Sequence, residues 1–417
     1  MKELVLNKII SSFKYIKTFV KWSLISIVIG LVGGLVGTLF HKSVDFATDV
    51  RTDNSWLIYL LPLGGLLIVY MYNLCNVHSG TNRVIESVRT DKKVPVLMAP
   101  LIFVSTVITH LFGGSVGREG AALQLGGSIG YRFGKIFRLD EKDMHLIIML
   151  GMSSVFAALF GTPLTATFFA LEVISVGVIY YVALVPCILS SVLSYKIALL
   201  FGVTPVKFDN VVMQQLNLFL LFKVVILAIL CAVVSICFCL CIKAVSSFAE
   251  KKLCNPYYRA FIGGCIIIIL TLIVGTNDYN GAGMDVISRA IGGSANPEAF
   301  VLKLIFTVIT IACGFKGGEI VPTFFIGSTF GCVAGALLGI NPSFAAALGF
   351  VALFCGVVNC PFASIMLALE VFGAESILIF VIVCGVSYMM SGYYGLYSSQ
   401  KIMYSKLEAK YININTK

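Results

Sequence analysis

Long apolar runs interrupted by glycine and proline alternate with short charged segments along this chain. The runs cover Trp22–Phe40, Trp56–Tyr72, Val94–Phe112, Leu146–Phe160, Val173–Phe201, Leu216–Ile242, Phe261–Val274, Val301–Cys313 and Phe344–Val358, and a final group extends from Pro361 to Tyr394. Several are shorter than the roughly 20 residues a straight span requires, or carry Gly and Pro within them. Broken helices persist at membrane depth only where protein buries them or where they line a cavity. The pattern predicts an all-α polytopic membrane protein of the transporter or channel kind rather than a simple anchor.

The pattern also repeats. Pro163 precedes Ala170-Leu171-Glu172-Val173, and Pro361 precedes Ala368-Leu369-Glu370-Val371, with the same spacing from Pro to Glu. Gly117-Arg118-Glu119 through Gly127-Ser128 matches Gly317-Gly318-Glu319 through Gly327-Ser328. A weaker match pairs Gly80-Thr81-Asn82 with Gly283-Met284-Asp285. Three collinear matches predict two homologous halves. The expected division is an amphipathic segment over 1–20, a first membrane repeat over 21–205, a second over 206–400 and a short tail over 401–417. Duplicated halves with broken helices at matching places are the mark of repeat-built transporters, whose sites lie at the repeat interface. The match counts residues and carries no information on whether the halves are inverted.

Composition narrows the class. Of 417 residues, 59% are hydrophobic and 12% charged, against about 25% charged in soluble domains; mean hydropathy is +0.98. This excludes a soluble enzyme, a nucleic-acid binder and a disordered chain. The net charge of +10 reads as an orientation signal rather than a binding surface. Lysines crowd residues 2–21 and 401–417, and basic residues mark Arg83–Lys93, Arg132–Asp143 and Lys243–Arg259. These segments and both termini are expected in the cytoplasm, with Lys42–Asn54 as an outer loop. Residues 1–21 run directly into the first apolar stretch, so no cleavable signal is expected.

Thirteen cysteines and four histidines show no metal-ligand spacing. Nor is there a nucleophile elbow, a Walker A loop or a zincin motif. No metal, cofactor or enzymatic activity is therefore expected.

The chemistry concentrates in two glycine-led segments. Three glycines precede Glu119 and an apolar helical run follows it. Backbone N–H groups at such a helix start converge on an anion, aided by the helix dipole. A glutamate in the same place is an anion the protein supplies itself. Such a glutamate either caps the dipole of its own helix, or occupies the site when ionised and vacates it when protonated, which is one physical way to couple anion movement to protons. Ionisable groups between long apolar segments are functional by default. Arg118 either raises the local potential or pairs with an acid. In the second copy, Pro322 suits the first turn of a helix, leaving the amides of Glu319, Ile320 and Val321 free to bind an anion. Glu319 itself is a helix cap, a partner of Lys316, or part of the transport machinery. Glu172 and Glu370 read as structural groups bonded to backbone. Tyr393, Tyr394 and Tyr397 are anion donors or an interfacial aromatic belt.

At these residues the chain resembles the CLC family of chloride channels and anion/proton antiporters. Gly117-Arg118-Glu119-Gly120 is similar to the family's G-R-E-G-P signature, with Ala121 in place of Pro. Gly318-Glu319-Ile320-Val321-Pro322 is similar to G-x-F-x-P, and His78-Ser79-Gly80-Thr81-Asn82 stands where G-S-G-I-P is usual. Leu396-Tyr397 stands at the place of the anion-coordinating Tyr. The departures, with Val173 where proton-coupled chloride members keep an internal Glu, resemble the bacterial fluoride-exporting branch. Ser79 keeps the chloride-type residue, and Val321 offers no hydroxyl.

The resemblance implies a CLC-type fold of two inverted-topology repeats with broken and tilted helices. It implies a homodimer in the lipid of the bacterial inner membrane that exchanges fluoride for protons. Chloride/proton exchange or passive chloride conduction on the same fold is the alternative. Glu119 would be the outer gate and proton acceptor, with Glu319 relaying the proton inward. Ser79, Gly80, Arg118, Gly120, Glu319, Ile320, Val321 and Tyr397 would contact the anion.

Overall fold

The computed structural model describes residues 2–77, 80–90, 92–209, 211–215 and 217–417, with side chains from residue 13 onward. Its described residues form sixteen α-helices and one small sheet. The first eight helices are α1 (Lys2–Asp53), α2 (Leu61–Leu74), α3 (Thr81–Ser87), α4 (Met98–Leu111), α5 (Glu119–Ile136), α6 (Glu141–Phe160), α7 (Pro163–Glu172) and α8 (Leu184–Leu200). The second eight are α9 (Leu218–Lys252), α10 (Pro256–Val274), α11 (Met284–Ile291), α12 (Ala299–Ala312), α13 (Ile320–Leu338), α14 (Pro342–Val358), α15 (Pro361–Phe372) and α16 (Ile377–Met390). Long and short helices follow the same order in both sets.

Seven described helical segments are long and apolar enough to cross a membrane, and five more are apolar but shorter. Leu24, Leu31 and Leu35 on α1 and Ile269 and Ile273 on α10 turn outward and stay exposed. That is the surface of a multi-pass membrane protein, which places apolar side chains against lipid tails. The core, by contrast, is built on close backbone approach. A Cβ on Gly126 of α5 would overlap the Gly151 carbonyl of α6, and a Cβ on Gly327 of α13 would overlap that of Gly349 on α14. Gly130 and Gly331 are held in the same way by Ile147 and Ala345. Small residues one turn apart allow helices to pack in lipid, where no hydrophobic force drives them together. The same device at corresponding places explains why both α5–α6 and α13–α14 pack tightly.

The repeats meet head to tail. Gly117 N–H donates to Gly318 O and Gly318 N–H to Gly117 O, both at 2.6 Å, in an antiparallel bridge. Farther along, Glu172 at the end of α7 accepts from Phe362 N (3.2 Å) and Ala363 N (2.9 Å) at the start of α15. Glu370 on α15 returns the bond, accepting from Leu164 N and Thr165 N, both at 2.8 Å, and from Thr165 Oγ1 at 2.7 Å. Each repeat therefore satisfies the free amides at a helix start of the other, which requires antiparallel α7 and α15. The halves are inverted with respect to each other, and Glu172 and Glu370 are structural.

One expectation changes. Lys42–Asn54 is not a loop: α1 continues through it to Asp53, because its polar residues still follow helical spacing around the buried Val44 and Ala47. The run Val173–Phe201 follows the end of α7 at Glu172, passes through Ser175–Val176 in strand β1 and becomes α-helical at Leu184. Strands β2 (Lys401–Tyr404) and β3 (Tyr411–Asn415) form an antiparallel hairpin, and β2 pairs in parallel with β1. Lys406 Nζ anchors the hairpin on Asn359 Oδ1 (2.6 Å) and Tyr388 O (2.7 Å), over the face of the Tyr388 ring.

Candidate anion site between the repeats

The Gly117–Gly318 bridge brings two helix starts together. Arg118 caps α5, and Glu119 is its first helical residue. Glu319 caps α13, so Ile320 is the first helical residue there. Gly113 and Gly314, both at positive φ, precede these starts at corresponding places. The two glutamates therefore differ by one position in the structural register, although the sequence motifs align them. Glu119 corresponds to Ile320, and Glu319 to Arg118.

That single step separates their roles. The Glu119 side chain is buried and folds back on its own helix start, where Oε2 accepts from Arg118 N–H at 3.0 Å. The Arg118 guanidinium lies 3.8 Å from Oε1 and pairs on its other side with Asp45. Asp45 also takes His41 Nε2 at 2.8 Å. Arg118 is thus a paired group that steadies Glu119. Glu319 instead crosses the interface: a Cβ added to Gly120 would meet its Oε2 at 2.9 Å. That oxygen is buried and has no protein partner. Glu319 makes no side-chain cap bond, and Lys316 Nζ sits over the Tyr72 ring at 4.7 Å. Glu319 thus stands at the cap position without the side-chain bond of a cap, and it forms no ion pair with Lys316 among the described residues.

Ile320 and Val321 are buried at the α13 start, where N–H groups have no intrahelical acceptor. Gly120 is buried in the first turn of α5. Tyr397 is buried as well, and its hydroxyl has no protein partner. Tyr393, in contrast, bonds Ser405 at 2.8 Å and belongs to the tail contact.

Ser79 lies outside the described residues. Gly80 caps α3 and is exposed, with open space where a side chain would stand. Asn82 Oδ1 accepts from Ser399 N at 3.0 Å, which ties the α3 start to the loop carrying Tyr397. The sequence reading did not find this bond, nor Asp45 as the partner of Arg118. It also missed a cavity of about 740 Å³ that opens on Glu119 and is lined by Arg51 and His110. His110 was visible as an ionisable residue inside an apolar run; Arg51 was hidden in a supposed loop.

Two inverted repeats with glycine-led helix starts paired across the interface are one half of the identification. The other is a family model described as voltage gated chloride channel, which matches residues 64–392. The chain belongs to this family, the CLC proteins. Among CLC relatives, a chloride/fluoride channel protein of Pseudomonas syringae pv. tomato is 34% identical over 93% of this chain and 87% of its own length. An H(+)/Cl(−) exchange transporter of Vibrio cholerae is 26% identical over 83% of this chain and 81% of its own. The crystal structure of a CLC-type fluoride/proton antiporter superposes with a TM-score of 0.88 at 34% identity, covering 92% of this chain and 98% of the other. The CLC family is one of channels and transporters, not of enzymes.

Proposed function

We propose that this chain is a fluoride/proton antiporter of the bacterial cytoplasmic membrane, working as a homodimer with both termini in the cytoplasm. The reading rests on one observation: Glu119 holds the amide at the α5 start, while Glu319 Oε2 and the Tyr397 hydroxyl are buried without a protein partner. Ionised Glu119 occupies the place an anion needs. On protonation it releases the Arg118 amide and opens that place. Fluoride enters from the Tyr397 side, past Ser79 and Gly80, and is held by the Ile320 and Val321 amides with Gly120 alongside. Glu319 takes the proton from the Glu119 region and passes it inward.

Fluoride is small and strongly hydrated, so it gives up water only to close, strong donors. Amides clustered at two helix starts suit that demand better than apolar walls. The similarity to a fluoride/proton antiporter over most of both chains supports the same choice. Chloride/proton exchange is the second reading, favoured by Ser79 and by the missing hydroxyl at Val321.

Purified protein in proteoliposomes decides between them. A fluoride gradient should drive proton movement in the opposite direction, and a chloride gradient should drive far less. Equal or greater chloride flux, or fluoride flux without protons, would remove the fluoride antiport reading.

A further inference from the structure

We infer that a second anion site lies in the vestibule on the outer side of Glu119, built by Arg51 and His110 and backed by Lys303. It takes a small, hard anion such as fluoride. The inference rests on the anion-transport reading and extends it to a place outside the two helix starts.

The cavity that reaches Glu119 also touches Arg51 and His110, but not Glu319 or Tyr397. His110 ends α4 and is fully buried, and neither ring nitrogen bonds a protein atom. Arg51 ends α1; its Nη1 is buried without a partner, and none of the described ion pairs includes it. A buried guanidinium nitrogen with no partner is costly unless something negative meets it. Arg118 is unlike it in this respect, being matched by Asp45 and Glu119.

The backbone is shaped around Arg51. Gly281 has a φ of +58°, and a Cβ there would come within 2.6 Å of Arg51 Nη1. Gly113, at φ +85°, faces the same side chain from the other repeat, where a Cβ would lie 3.5 Å from Arg51 Cδ. The two turns are fastened together: Asn280 Nδ2 donates to Gly113 O at 3.0 Å, and Gly281 N to Gly114 O at 3.1 Å. Behind them Lys303 is fully buried and donates to Gly281 O (2.7 Å) and Tyr279 O (3.2 Å), with no acid in contact. Arg51 and His110 thus line the cavity, and an ammonium is held behind the same loop.

Exposed acids Asp49, Asp53 and Asp285 line the same cavity and make no ion pair among the described residues. They oppose anions arriving from bulk.

Calorimetric titration of sodium fluoride and of sodium chloride into the purified full chain tests the site. The wild type should bind one anion more than the helix-start site accounts for. Arg51→Gln should lose that event or weaken it about tenfold or more, the scale of a charge-assisted bond. His110→Phe, which leaves Arg51 in place, should weaken the same event. Wild-type stoichiometry and affinity in both variants for both anions, or a wild type that binds only one anion, overturns the site. If Arg51→Gln does not fold, His110→Phe decides alone by the same criterion. Which salt shows the lost event reports on selectivity, and so on the fluoride reading, separately from whether the site exists.

Discussion

Replacing Glu119 by glutamine isolates the competition between the protein's own anion and the transported one. The Glu119 carboxylate accepts from Arg118 N–H at 3.0 Å. A hydrogen bond to a charged group contributes about 1.5–3 kcal/mol and a neutral one about 0.5–1.5. Glutamine keeps an acceptor oxygen of the same reach but loses the charge, so the tether weakens by about 1–1.5 kcal/mol. An anion seeking that amide meets a competitor weakened by the same amount, which corresponds to roughly tenfold tighter binding. The pH dependence follows with a definite sign. In the wild type, acid protonates Glu119 and removes the competitor, so fluoride affinity and transport rise as the outer pH falls. In Glu119→Gln both are flat with pH, and proton coupling is lost. Calorimetry across mildly acidic to mildly alkaline pH, with proton flux in proteoliposomes, measures all three quantities. A variant that keeps wild-type affinity, pH slope and coupling would refute the competition.

Other substitutions separate structural from transport roles. Glu370→Ala strips an acceptor from three donors and Glu172→Ala from two. At about 1–3 kcal/mol for each buried group left unpaired, thermal unfolding in detergent should show the larger loss for Glu370→Ala; equal losses contradict the assignment. Tyr397→Phe removes a buried hydroxyl with no protein partner, so stability should hold or rise while fluoride flux falls. A lower Tm with unchanged flux would mark the hydroxyl as structural. Gly349→Ala puts a methyl group into the Gly327 carbonyl and should cost about 1–3 kcal/mol by overpacking; an unchanged Tm argues against the tight α13–α14 contact.

Much of the architecture was legible because duplication leaves marks that residue spacing preserves. The pair Pro163–Glu172 and Pro361–Glu370 became α7 and α15, and the weak match of Gly80 with Gly283 marked the caps of α3 and α11. The glycine-led segments marked the starts of α5 and α13. The register inside them was not legible. Letters aligned Glu119 with Glu319, whereas the peptide bridge aligns Gly117 with Gly318; motif identity does not record which residue is first to adopt helical geometry. The partners of Arg118 and Asn82 were hidden for a different reason. Asp45 and Ser399 lie 73 and 317 residues away, and no local pattern reports such distances. The small sheet was equally silent, since strands of two to five residues carry too little alternation to stand out.

The exchange of caps between Glu172 and Glu370 bears on how the molecule is made. A first repeat leaving the ribosome carries Glu172 with nothing to accept, and the bare Leu164 and Thr165 amides of α7 with nothing to bond. Neither want can be met until the second repeat has been synthesised and inserted. The halves are therefore mutual templates rather than independent folding units. Two separately encoded halves should complement each other when produced together, and each should be degraded when produced alone.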